Sequence, residues 1–348
     1  MKRSLSKRLA AIILAFFASA SALWGCAPSA RKHTETWFDY FDTVITLTAY
    51  TDDDGLFERA AGIAGAVFER CHNLFDIYNE HEEGVKGLAA VNSSAGEPVK
   101  MPEEVADLVS LCKTLSEETG GSFNIALGPV LRLWHECRVA AENGDEARLP
   151  GDEELKEAAR HCDISLVSVD PYAGTVTLAD PGMSLDAGAV AKGFAADLAA
   201  AHLKEFGFPF LLNCGGAVLT YGKKPGGGEW KVGVNDPAGS GYALTLGIED
   251  AALSTSGAYL RRFTLDGVDY GHIIDPVTLY PANLSNGAEG SKVASVSVLY
   301  SGPNCAAVAD ALSTACFILG VERGSELAAK FGAHAVFILE NGSMIESP

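Results

Sequence analysis

In the run ADALSTA (309–315), Asp310 and Thr314 stand four residues apart within an otherwise apolar stretch. On a helix this spacing puts a carboxylate and a hydroxyl on one face, and both are hard oxygen ligands of the kind Mg²⁺ prefers. A buried aspartate satisfied by local hydrogen bonds would account for the same residues. A second run, DAGAVAKG (186–193), enters a predicted helix. Its small residues let a ligand approach the main chain, the start of a helix presents free N–H groups to an anion, and Lys192 adds a cation. The plainer alternative is a tight strand-to-helix connection with a solvated lysine.

Proton chemistry points to YGHIIDP (270–276). Imidazole is the side chain best matched to proton transfer near neutral pH, so His272 is the candidate base and Asp275 its orienting or metal-linked carboxylate. A surface histidine ahead of an Asp-Pro turn is the competing explanation. STSG (254–257) reads as a polar turn after a strand, able to hold phosphate through hydroxyls such as Ser256 and main-chain N–H groups such as that of Gly257. TGGSFNIALGPVLRLWHE (119–136) joins a glycine pair to Phe123, Pro129 and Trp134, a set suited to an aromatic-walled pocket or to structural punctuation. The glycine turns of 213–237 read as punctuation.

These groups must be held by the surrounding elements. Alternating Thr and apolar residues predict a strand over 41–50, and helical spacing of apolar residues predicts a long helix over 56–79. Further helices are predicted over 103–119, 153–161, 189–206 and 306–319, with an exposed loop over 142–152. Strands are predicted over 166–169, 175–178, 210–213, 218–221, 230–234, 243–248, 252–254, 293–299 and 335–339. Hairpin-like spacing among the central strands favours a mixed or antiparallel sheet over a doubly wound one, so the fold class is α+β.

The N-terminus carries different information. Lys2, Arg3, Lys7 and Arg8 precede a nearly all-apolar run over 9–23, and Leu23, Trp24, Gly25 and Cys26 follow. That order reads as a lipoprotein signal (1–25) ending in a lipobox, with Cys26 the site of lipidation and the anchor of an exported protein to the cell membrane. The apolar run is shorter than the roughly 20 residues of a spanning helix. Residues 26–36 read as a polar tether and 37–348 as one domain. No later stretch reads as long and apolar enough to cross a bilayer. The formal net charge of −19 argues against a nucleic-acid partner, whose phosphates are neutralised by Lys and Arg. Beyond Cys26, seven cysteines lie scattered without CxxC or zinc spacing, and buried thiols fit them better than a disulfide framework.

Taken in order, FDTVITLTAY, FDIYNE, TGGSFNIALGP, DAGAVAKG, NCGG, STSG, HIIDPVTLYP and ADALSTA resemble the FAD:protein FMN transferases of the ApbE type. The match runs from about Phe41 to about Gly320, and its specificity lies in the ordered set rather than in any one piece. The resemblance implies that Asp310 and Thr314 bind Mg²⁺ together with the main-chain oxygen of Ala189. It implies that Asp186 and Lys192 contact FAD, that Phe41, Tyr78, Ser122, Phe123 and Asn124 surround its flavin and adenine portions, and that His272 handles the proton with Asp275 assisting. The activity implied is transfer of FMN from FAD to a Ser or Thr hydroxyl of an exported acceptor protein, with AMP released. Hydrolysis of FAD to FMN and AMP, or simple carriage of flavin, would use the same residues. Four positions depart from the family pattern: Asn124 for Asp, Ala187 for Leu, Ala189 for Gly, and Leu279 for the Gly that follows DPxT. A bulky side chain at 279 disfavours any positive-φ turn there.

Overall fold

A computed structural model describes residues 30–79, 86–259, 261–287 and 292–347. The leader and Cys26 lie outside the described residues. The chain opens with a hairpin, β1 (Arg31–Tyr40) and β2 (Thr43–Thr51), joined at Phe41 and Asp42. Both turn residues have positive φ, 55° and 50°, as a two-residue primed turn requires. Residues 31–36, expected as tether, are therefore part of a strand. Their polar composition is that of an exposed sheet edge, and charged side chains there discourage pairing with other chains.

Helix α1 (Asp54–Phe75) follows, capped by the Asp53 carboxylate on the Leu56 N–H at 2.9 Å. It stops four residues before the predicted end. The Asp76 side chain accepts from the Tyr78 N–H (2.8 Å) and Asn79 Nδ2 (2.7 Å), a local competitor that unwinds the helix and turns Tyr78 outward. Next come α2 (Leu88–Asn92), β3 (Val99–Lys100), α3 (Glu103–Glu118), α4 (Gly128–Asn143) and α5 (Asp152–Ala159). Helix α4 was not expected. Pro129 occupies its first turn, where a missing N–H is harmless, and Gly144 at φ 76° ends it.

The remainder runs β4 (Val167–Asp170), β5 (Thr175–Leu178), α6 (Ala191–Lys204), β6 (Phe210–Cys214), β7 (Ala217–Tyr221), β8 (Trp230–Asn235), β9 (Tyr242–Ile248), β10 (Ala252–Gly257), β11 (Arg262–Leu265), β12 (Val268–Gly271), β13 (Val293–Tyr300), α7 (Cys305–Phe331), β14 (His334–Leu339) and β15 (Met344–Glu346). One sheet has the order β1-β2-β6-β7-β10-β13-β14-β15, and every neighbouring pair in it is antiparallel. The α+β expectation is met. STSG, expected as a turn, forms the last four residues of β10.

Side chains alternate across this sheet. Leu219, Ala252 and Val298 face the main core with α1, α6 and α7, whereas Val218 and Leu253 pack under the β8–β9 hairpin. Ser254 and Ser256 share the helix-facing parity of Ala252, which aims them at α7. Fully buried aromatics such as Phe317 and Phe337 each contribute about 1.5–3 kcal/mol through burial. A second core joins α4, α5, β11 and β12 around Val130, Trp134, Phe263 and Tyr270.

Helix α7 is longer than the predicted 306–319. Its 27 residues include a break at Gly320, where φ is 75° and an added Cβ would meet the Asn286 carbonyl oxygen. Contrary to the expectation that no later stretch would qualify, α7 is long and apolar enough to cross a membrane, but most of its apolar length is buried against the sheet and α6. All seven cysteines of the described residues are free. Burial pushes thiols such as Cys112 and Cys214 upward, which keeps them protonated and unreactive.

Candidate active site

The turn ahead of α6 is built by its own small residues. Asp186 accepts the Gly188 N–H on Oδ1 at 2.8 Å, while its own N–H donates to the Ile125 carbonyl at 2.8 Å. The Ala187 carbonyl takes the N–H groups of Val190 and Ala191. The Ala189 carbonyl accepts no hydrogen bond among the described residues, because the Gly193 N–H that would pair with it donates instead to Asp310 Oδ2 at 3.2 Å. Gly193 is required at this crossing, since a Cβ would collide with the Ala306 carbonyl of α7.

On α7 the carboxylate of Asp310 is almost fully buried, at 4% exposure. Lys192 Nζ lies 3.4 Å from Oδ2, and the Ser254 hydroxyl donates to Oδ1 at 2.7 Å. One turn later, Thr314 Oγ1 lies 3.2 Å from Ser256 Oγ, which also meets Ser313 Oγ at 2.8 Å. The helix face and the glycine-alanine turn thus meet. A carboxylate, a hydroxyl and an unengaged carbonyl are hard oxygen donors, so the residues present fit Mg²⁺. Among the described residues no group of three His, Cys, Asp or Glu side chains could hold a metal. With one carboxylate, the site leaves half of a divalent charge to be balanced by an anionic ligand.

Tyr78 approaches from the end of α1. Its hydroxyl donates to Asp186 Oδ2 at 2.5 Å, and its ring stacks on His135 with centroids 4.1 Å apart. Burial and the Asp186 charge push the phenol pKa up, so it remains a donor. Arg138 Nη2 lies 3.1 Å from His135 Nδ1, and burial followed by the Arg138 charge lowers the pKa of that imidazole. His135 and Arg138 were missed in the sequence. They are three residues apart on α4, and recognising that helix would have placed them on one face.

Segment 119–124 is placed differently from expectation. Phe123 is 2% exposed in the main core, and Trp134 is buried with its Nε1 donating to the Leu279 carbonyl at 2.9 Å, so these rings are core rather than pocket wall. Ser122 is buried too, donating to the Thr119 carbonyl at 2.8 Å. Asn124 caps a short 3-10 turn through the Ala126 N–H (2.8 Å) and donates Nδ2 to the Cys162 carbonyl (2.9 Å). An aspartate could not make the second bond. Phe41 sits at the β1–β2 turn with its N–H on His72 Nδ1 at 3.3 Å. The adjacent Thr43 abuts Gly215, and the Gly216 carbonyl accepts the Thr255 N–H, so this turn shares the sheet end that bears Ser256 and Gly257.

His272 follows β12. The residue is exposed, yet desolvation by the surrounding protein, with the charges of Arg261, Lys192 and Arg138, lowers its pKa to about 4. Nδ1 lies 3.1 Å from the Arg261 carbonyl. A carbonyl only accepts, so Nδ1 carries the proton and Nε2 presents its lone pair. Asp275 does not reach His272. Its carboxylate takes the Val277 N–H at 2.8 Å and its carbonyl the Leu279 N–H at 2.8 Å, which shapes the 275–280 turn. Leu279 adopts φ 65°, the glycine-like conformation its bulk disfavours, at a cost of roughly 1–2 kcal/mol. The Trp134 hydrogen bond and packing in the second core hold it there.

Comparison with known proteins is consistent along the chain. The profile described as the ApbE family matches residues 41–338. The chain is 39% identical over 272 residues to the FAD:protein FMN transferase of Treponema pallidum (strain Nichols), covering 72% of this chain and 70% of that protein. It is 31% identical over 314 residues to an FAD:protein FMN transferase of Klebsiella pneumoniae (strain 342), covering 87% and 88%. The crystal structure of the ApbE protein of Thermotoga maritima superposes with a TM-score of 0.77 at 28% identity, covering 91% of this chain and 97% of that one. The apo flavinyl transferase ApbE of Pseudomonas stutzeri gives a TM-score of 0.74 at 25% identity, covering 91% and 94%. With Asp310 of α7 joined to the turn into α6, Thr314 one helical turn further on, and this coverage, the chain belongs to the ApbE family.

Proposed function

We propose that this protein is an FAD:protein FMN transferase, moving FMN from FAD to a Ser or Thr hydroxyl of a partner protein as a phosphoester and releasing AMP. The observation that carries the reading is the junction of Asp310 with Lys192 and Gly193 at the turn into α6, with Thr314 one helical turn further along α7 beside Ser256. Asp310, Thr314 and the Ala189 carbonyl are the groups to hold Mg²⁺, which when bound supplies charge neutralisation at diphosphate oxygens. Lys192 supplies the positive charge that attracts the diphosphate at the start of α6. Ser256 and the Gly257 main chain border it, and Phe41, Tyr78 and Asp186 bound the flavin and adenine portions. Ser122, Phe123 and Asn124 belong to the buried segment whose next residue, Ile125, accepts the Asp186 N–H.

The acceptor hydroxyl oxygen forms a bond to the FMN phosphorus while the P–O bond to the AMP phosphate breaks, and AMP departs with that electron pair. The hydroxyl proton passes to His272, whose Nε2 lone pair is available because the ring is neutral above about pH 4. Asp275 contributes by shaping the turn beside it. The cationic leader, apolar run and Cys26 support an exported protein held at the membrane by lipid. Mass spectrometry after incubating the full-length protein with FAD, Mg²⁺ and a Ser/Thr-bearing acceptor tests this. The acceptor gains one FMN if the reading holds. Free AMP and FMN beside an unmodified acceptor would make it a hydrolase, and intact FAD a carrier.

A further inference from the structure

Two rows of residues with the same four-residue spacing run antiparallel where α6 meets α7: Ala189, Gly193 and Asp197 on one side, Ala306, Asp310 and Thr314 on the other. The structure shows two rungs of this ladder. Asp197 Oδ1 accepts the Ala306 N–H at 3.1 Å and Oδ2 the Ala307 N–H at 2.8 Å, while the Gly193 N–H donates to Asp310 Oδ2 at 3.2 Å. Continued by one step, the spacing leads to Ala189 in the turn before α6 and to Thr314 on α7, the groups proposed above to hold the cation. We propose that Asp197 is a positioning residue that locks the first turn of α7 onto α6 and thereby sets the approach of Asp310 and Thr314 to the Ala189 carbonyl. This inference rests on the cation reading of the site.

Three observations support it. Helix α7 has no cap of its own: Asn304 sits at φ 50° and makes no side-chain cap bond, so the orphan N–H groups of its first turn depend on α6. The contact is tight, since Gly193 lies one turn before Asp197 and has no room for a Cβ against Ala306. The carboxylate is also retained against its surroundings. Burial raises its pKa to about 6 despite both N–H bonds, a thiol contact from Cys305 at 3.7 Å and the charge of Lys204. A serine or asparagine would cap one N–H without a buried charge. Two acceptor oxygens are what it takes to hold Ala306 and Ala307 together.

Asparagine has one acceptor oxygen and would turn an N–H donor toward the other amide, whereas glutamate keeps both oxygens one methylene further out. Full-length wild type, Asp197→Asn and Asp197→Glu are titrated with Mn²⁺ in the presence of ADP, and free Mn²⁺ is read by electron paramagnetic resonance. The expected result is about 10–100-fold weaker Mn²⁺ binding in Asp197→Asn, the loss typical of removing a group that orients a ligand. The glutamate variant should fall between, and transfer should recover at saturating Mg²⁺. Mn²⁺ affinity close to wild type in either folded variant overturns the role, because a cap that served stability alone would lower only the melting temperature. Wild type itself supplies a check that needs no substitution. Coupling is reciprocal, so Mg²⁺ with ADP must slow hydrogen exchange at the Ala306 and Ala307 amides, and unchanged exchange contradicts the proposal. Failure of wild type to bind Mn²⁺ at all would instead remove the cation reading beneath it.

Discussion

The Ser254 hydroxyl donates to Asp310 Oδ1 at 2.7 Å, joining the middle of β10 to α7 with both side chains buried. Ser254→Ala leaves a carboxylate oxygen without its partner, at about 1–3 kcal/mol for an unsatisfied buried group. Chemical denaturation should show that loss, and the Mg²⁺ requirement for transfer should rise. Wild-type stability in this variant would mean that Asp310 is oriented by other contacts.

His272 should titrate near pH 4 in the free protein, followed by the ring resonances in NMR. Its folded pKa lies below the unfolded value of about 6.5, so the unfolded chain binds more protons between the two. Stability from this group is present above pH 6.5 and is lost as pH falls toward 4. Bound FAD brings negative phosphates to the cleft and should raise the value. A pKa at or above 6.5 without ligand would contradict the crowded, cation-flanked placement of the ring.

Asn124→Asp restores the residue the family pattern favours, yet it should destabilise this chain. The new carboxylate would face the Cys162 carbonyl that Asn124 Nδ2 now serves at 2.9 Å, at about 1–3 kcal/mol. That environment raises the folded pKa of the introduced acid, so the deficit should shrink as pH falls through it. Urea denaturation at neutral and acidic pH would show the convergence, and a deficit that grows on acidification would count against it.

Leu279 supplies a test of backbone strain. Leu279→Gly relieves the φ 65° conformation while giving up packing near Trp134, and the two effects oppose one another. Leu279→Val keeps the strain and adds β-branching. Denaturation should therefore rank glycine above valine in stability, the reverse of their ordering by buried area. Valine as the milder change would show that the turn is not strained.

The chemistry was more legible than its frame. Asp310 and Thr314 could be found because four-residue spacing is helical geometry, and the same rule would have given the row of Ala189, Gly193 and Asp197. Helix α4 was hidden because a glycine pair and Pro129 signal a break as readily as a helix start, and His135 and Arg138 were lost with it. Phe123 and Trp134 beside glycines read as pocket walls, but aromatic type alone does not separate a wall from a core. The polar run 31–36 read as tether because an exposed edge strand carries the same composition. Gly320 cut α7 short in the sequence, whereas the folded helix continues past it.

In the proposed mechanism, Asp310 makes the α6–α7 junction competent for FMN transfer. The direct measurement is the ratio of AMP released to acceptor flavinylated, for full-length wild type and Asp310→Ala, with Mg²⁺ and then with chelator. One AMP per modified acceptor in wild type, with both products lost on chelation and in the folded variant, is the result predicted. Undiminished flavinylation by Asp310→Ala, or AMP appearing while the acceptor stays unmodified, would contradict it.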